Sequence, residues 1–109
     1  MSIAITLTTI NKPTIIENII EDLVQNPFKD SIHVIIMGDN KSPSDNKKYC
    51  SEVNTRGVDI KIDYFDIEDQ NKYFKSKYPN LYQHIPENTF ARRNFADLIS
   101  IEEGHQFTI

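Results

Sequence analysis

The chain has 109 residues, 39% of them hydrophobic and 26% charged, with a formal net charge of -4 at pH 7. That length suits one domain with a single modest core, and the composition excludes a disordered chain. The negative balance argues against a general nucleic-acid binder, whose phosphate contacts need clustered Lys and Arg, and no run approaches the ~20 apolar residues of a membrane span.

The first segment, "IAITLTTI" (Ile3–Ile10), is β-branched and apolar on both faces, as a buried strand is. In "PTIIENIIEDLVQN", Thr14 and Glu17 have capping-box spacing, and Ile15, Ile16, Ile19, Ile20, Leu23 and Val24 form a helical stripe. "SIHVIIMG" reads as a second buried strand. "SPSDNKKYCSEVNTRG" reads as a polar helix capped by Ser42, with Pro43 at its first position and Gly57 at its C-terminal end. "VDIKIDYF" alternates between apolar Val58, Ile60, Ile62 and Tyr64 and polar Asp59, Lys61 and Asp63, the pattern of an edge strand.

"IEDQNKYFKSKY" then predicts a short helix ending before Pro79, and "NLYQHIP" a loop. "NTFARRNFADLISIEEG" predicts a helix capped by Asn88 or Thr89, with Ala91, Phe95, Leu98 and Ile99 facing the core and Gly104 as its stop. "HQFTI" starts a last strand. The alternation of strands and helices implies a Rossmann-like three-layer α/β/α domain with a mostly parallel sheet. In such sheets ligands bind beyond the carboxyl ends of the strands.

Several chemistries have no signature. The three glycines stand singly, so there is neither a G-x-G-x-x-G nor a P-loop. His33, His84 and His105 are far apart in sequence and lack metal-ligand spacing, so no metal ligand is expected among them. Cys50 is the only cysteine, so it forms no internal disulfide. With no basic leader at the N-terminus, the expected location is the reducing cytoplasm, away from membranes. In "DYFDIED", Asp66 and Glu68 mimic a carboxylate-x-carboxylate metal site, but a solvated edge explains them.

Three segments carry chemistry. Thr8, Thr9 and Asn11 put donors and acceptors at the mouth of the sheet, where they can read the edge of a base. "GDNKSP" sets Asp39 and Lys41 at the end of the second strand, where a carboxylate can hold ribose hydroxyls. A local turn explains the same residues. "ARRN" puts Arg92 and Arg93 in the first turn of a helix, against the macrodipole. A bound anion removes that conflict, as does pairing with Glu87 or Asp97.

Taken together, "TTINKPT", "GDNKSP" and "PENTFARRNFADLISIEEG" resemble the N-terminal half of the GT-A-type nucleotide-sugar glycosyltransferases, specifically the STELLO-like glycosyltransferase family. That family reads approximately T-T-I-N-x-P-T, then G-D-x-K-[ST]-P, then P-x-N-x-x-A-R-[KR]-N before a helix ending in Gly. The order and approximate spacing agree over almost the whole chain. The resemblance implies a site for a nucleoside diphosphate sugar. Thr8, Thr9 and Asn11 would line the base pocket, Asp39 would meet the nucleoside with Lys41 nearby, and Arg92 and Arg93 would approach the pyrophosphate or brace the metal-binding segment.

The resemblance also implies Mg²⁺ or Mn²⁺ in the complete parent domain, held by an acidic D-x-D-type motif on the strand after the last helix. Here "HQFTI" stands where that strand runs and carries no such motif. The expectation is a truncated GT-A domain with no metal of its own, inactive as it stands, and with an exposed terminal strand edge open to self-association. The other reading is a small non-catalytic α/β module. It would bind a nucleotide at the same strand ends, or a protein at its exposed edge.

Overall fold

Short β-branched runs form the strands of this protein and amphipathic runs the helices. The computed structural model describes residues 2–27, 31–86 and 92–109. The elements in order are β1 (Ser2–Thr8), α1 (Ile15–Gln25), β2 (Ser31–Met37), α2 (Asn46–Glu52), β3 (Ile60–Phe65), α3 (Ile67–Lys77), α4 (Pro79–His84), α5 (Arg93–Glu102) and β4 (Phe107–Thr108). The strands form one parallel sheet in the order β3-β2-β1-β4, with β3 and the two-residue β4 at its edges.

Pleating divides the core between two faces. Ile32, Val34 and Ile36 of β2 pack with Ile16 of α1, Cys50 of α2 and Tyr64 of β3. Ile35 and Met37 point the other way, onto Ala4, Phe74 of α3, Ile85, and Phe95 and Ile99 of α5. Each of the Ile, Val, Met and Phe side chains stabilises the fold by about 1.5–3 kcal/mol on burial. Phe74 and Phe95 stack with ring centroids 3.9 Å apart, joining α3 to α5. Two helices cover one face and three elements the other, so the domain is α/β with a Rossmann-like three-layer arrangement.

Several ends differ from the sequence expectation, each for a physical reason. Thr14 does precede α1, but its side chain makes no capping bond. Glu17 instead accepts a hydrogen bond from the Tyr49 hydroxyl of α2, which takes it away from the helix terminus. Helix α2 starts at Asn46, three residues after Pro43, because Ser42 is occupied elsewhere, and it ends at Glu52, well before Gly57. Arg56 and Gly57 both have positive φ and form a separate turn into β3. The stretch expected as a loop after Pro79 contains α4, with the proline at its first turn, where a missing N–H costs nothing.

Helix α3 carries a capping box that the sequence reading missed. The Asp66 carboxylate accepts from the Asp69 N–H at 2.8 Å, and the Asp69 carboxylate accepts from the Asp66 N–H at 3.3 Å. Gly104 ends α5 as expected. At φ +73° it lets its own N–H reach Ile101 O at 3.0 Å and the His105 N–H reach Ser100 O at 3.2 Å, the paired bonds of a Schellman turn. The expected cap at Asn88 or Thr89 and the core position of Ala91 lie outside the described residues. No helix among the described residues is long and apolar enough to cross a membrane.

Candidate functional site

The parallel register pairs Thr8 with Met37, so the segments that leave β1 and β2 emerge side by side at the carboxyl end of the sheet. The sheet order reverses at β1, which has β2 on one side and β4 on the other. That is the position where open α/β sheets hold ligands.

Hydrogen bonds clasp the two segments together. The Thr9 N–H donates to Met37 O at 3.1 Å. The Ser42 hydroxyl donates to Thr9 O at 2.7 Å and accepts from the Asp39 N–H at 2.9 Å. The Asn46 amide nitrogen donates to Asn11 O at 2.9 Å and to the Tyr64 hydroxyl at 3.3 Å. The Oδ1 of Asn46 is buried and has no hydrogen-bond partner among the described residues. Ser42 and Asn46 thus hold both loops; the sequence marked Ser42 only as a helix cap and did not mark Asn46.

Within each loop the side chains divide. The Thr9 hydroxyl is spent locally, donating to Asn11 O at 2.8 Å and accepting from the Asn11 N–H at 3.1 Å. Asp39 Oδ1 accepts from the Lys41 N–H at 2.9 Å, an Asx turn that leaves the carboxylate half-buried at the sheet mouth. Thr8, Asn11 and Lys41 have side-chain polar atoms with no hydrogen-bond partner among the described residues, and Asn11 and Lys41 are exposed. The turn reading of "GDNKSP" is thus observed, and the turn leaves the Lys41 side chain exposed.

The two arginines part company. Arg92 is 4% exposed and lies over the rings of Tyr82 and Phe95, at 5.6 and 4.9 Å. It donates to Gln70 Oε1 at 3.4 Å, to Asn71 Oδ1 at 3.5 Å and to Pro86 O at 3.4 Å. The conflict with the helix dipole is met here by aromatic faces and amide oxygens inside the protein. Arg93 is exposed, and its Nε donates to the Thr6 hydroxyl at 3.1 Å. That hydroxyl in turn donates to Asp97 Oδ1 at 2.8 Å.

Gln70 connects Arg92 to the strand ends. Fully buried, it donates to Gly38 O and to Phe65 O, both at 2.9 Å. A buried glutamine one turn before Phe74 on an apolar helix face was the available sequence signal for this bridge. Beside it, Asn40, Asn71, Lys72, Lys75 and Tyr82 border an open cleft of about 610 Å³. Glu68 also borders the cleft and is exposed, whereas Asp66 and Asp69 are engaged structurally. Asp69 accepts from Lys47 at 2.7 Å as well as capping α3. Burial alone would raise its pKa, but the Lys47 ammonium and the Asp66 N–H outweigh that and hold it below the usual carboxylate range. Burial pushes the Cys50 thiol up to about 11, away from any nucleophilic use near neutral pH.

A second polar cluster lies toward the amino ends of the strands, where His33, Asp63, Glu103, His105 and Ser2 meet. His33 and His105 are 72 positions apart in sequence, and His33 Nδ1 lies 2.8 Å from His105 Nε2. The hydrogen bond from His33 overcomes the cost of burial and holds the Asp63 carboxyl below its ordinary range. No protein-family model matches this chain, and no curated protein matches it significantly.

Proposed function

We propose that this chain forms the donor-nucleotide-binding part of a glycosyltransferase that moves a sugar from a nucleoside diphosphate sugar to an acceptor. The observation that carries the reading is the Thr8–Met37 register, which sets "TTIN" against "GDNK" at the reversal point of a Rossmann-like sheet. Thr8 and Asn11 offer unpaired polar groups to a base, and Thr9 shapes their turn. Asp39 accepts from ribose hydroxyls, and Lys41 and Arg93 supply charge for the diphosphate. Arg92 acts from inside, bracing the Gly38 turn through Gln70.

Among the described residues, Asp39, Asp66 and Asp69 do not form a site for Mg²⁺ or Mn²⁺. Asp66 and Asp69 are used to cap α3 and to pair with Lys47, and Asp39 with the Lys41 amide. Hard cations need several converging oxygens. The proposal therefore rests on nucleotide binding alone. The interior position of Arg92 favours a second reading, a non-catalytic α/β module that holds a nucleotide at the same loops.

Calorimetric titration with uridine and guanosine diphosphates tests the shared claim. Asp39→Asn is expected to weaken nucleoside and diphosphate alike, by about tenfold for one charge-assisted hydrogen bond. Arg93→Ala is expected to weaken the diphosphate and spare the nucleoside. Equal losses for both ligands in Arg93→Ala would remove the anion role. Failure of every nucleotide to bind would leave a protein-interaction module.

A further inference from the structure

The polar cluster at the amino end of the sheet has the makings of a metal site. His33 Nδ1 lies 2.8 Å from His105 Nε2 and 2.8 Å from Glu103 Oε2, and the last two atoms are 3.3 Å apart. The other nitrogen of each ring is already held. His33 Nε2 faces Asp63 Oδ2 at 2.6 Å, and His105 Nδ1 faces Ser2 Oγ at 3.0 Å. A carboxylate beside the far nitrogen is the usual outer partner of a ligating histidine, since it fixes the tautomer and the ring plane.

With a proton on His33 Nε2 for Asp63 and on His105 Nδ1 for Ser2, both facing nitrogens present lone pairs. Glu103 adds an anionic oxygen to the same spot. Three acceptors at such distances repel unless a cation sits among them. A point about 2.1 Å from all three atoms lies roughly 1 Å off their plane, which matches zinc–nitrogen and zinc–oxygen bond lengths.

We propose that His33, Glu103 and His105 bind one Zn²⁺ ion, with Asp63 as the positioning residue for His33. Two imidazoles and a carboxylate favour zinc over Mg²⁺ or Ca²⁺. His33 is 3% exposed on central strand β2, whereas the Glu103 side chain is 39% exposed. The fourth position therefore opens to water on the Glu103 side. Glu103 and His105 flank Gly104 in the turn that ends α5. The ion accordingly clamps that turn, and the start of β4, onto β2. This site is independent of the nucleotide reading. Asp39 lies six residues beyond His33, roughly 20 Å along an extended strand.

The test uses the untagged, chelator-treated 109-residue chain at neutral pH, titrated with Zn²⁺ and separately with Co²⁺. One ion per chain, a raised melting temperature and the visible bands of a four- or five-coordinate cobalt ion are expected. His105→Ala should abolish stoichiometric uptake, and Asp63→Asn should weaken it about 10- to 100-fold with stoichiometry kept. Circular dichroism identical to wild type shows that His105→Ala is folded. Zinc uptake equal in wild type and His105→Ala would overturn the proposal. So would no uptake at all, the outcome if a shared proton satisfies the cluster. Only octahedral cobalt bands would equally overturn it.

Discussion

Gly38 shows how tightly the strand-end turn is specified at the scale of one residue. A Cβ there would lie 2.2 Å from the Tyr64 hydroxyl oxygen and 2.7 Å from its Cζ. Tyr64 is 8% exposed, packs in the core beside α1 and α2, and receives the Asn46 amide, so moving its ring disturbs that packing. Gly38→Ala is expected to cost about 1–3 kcal/mol, as overpacking does. It should appear as a lowered urea midpoint at unchanged slope. Adding Tyr64→Phe removes the shortest contact, so the double variant should recover part of the loss. Strictly additive effects would show that the clash is not the cause. The sequence put Gly38 at the end of the second strand, "SIHVIIMG". It did not show the Tyr64 ring, because that contact comes from strand pairing 26 positions away.

At the scale of elements, helix α3 rests on charges that the sequence reading assigned to a solvated edge. The Asp66–Asp69 box satisfies two backbone donors, and Asp66→Ala is expected to cost about 1 kcal/mol. Asp69 has a folded pKa below its ordinary value, with Lys47 and the Asp66 N–H overcoming the burial penalty. A depressed carboxylate pKa stabilises the fold above the unfolded value of about 3.9, and that contribution is lost as pH falls through the folded value. Asp69→Asn should therefore lower the melting temperature at neutral pH, and the gap from wild type should close on acidification below about 3.9. A gap unchanged with pH would contradict the role of the charge. Strands and long helices were legible because their periodicity is local. Helix α4 was not legible, since six residues with no buried position give no amphipathic signal. The start of α2 was missed because Ser42 bonds to Thr9 across the sheet, which no local pattern reveals.

Across the whole molecule, the order β3-β2-β1-β4 creates two polar ends with different chemistry. At the carboxyl end, "TTIN" and "GDNK" each occupy one continuous segment, so their placement at a strand mouth could be read from the chain. Their mutual clasp and the inward turn of Arg92 could not, because both depend on residues brought together by packing. At the amino end, His33 and His105 meet only because β2 and the turn after α5 share a face, and their sequence spacing hid the pair. The two proposals thus place a nucleotide at one end of the sheet and a metal ion at the other. Amide shift mapping during titration with uridine and guanosine diphosphates tests the nucleotide assignment most directly. The largest shifts are expected at Thr8 to Asn11 and Gly38 to Lys41, with His33 and Lys61 unmoved. No shifts at millimolar nucleotide, or the largest ones along β3 and β4, would contradict it.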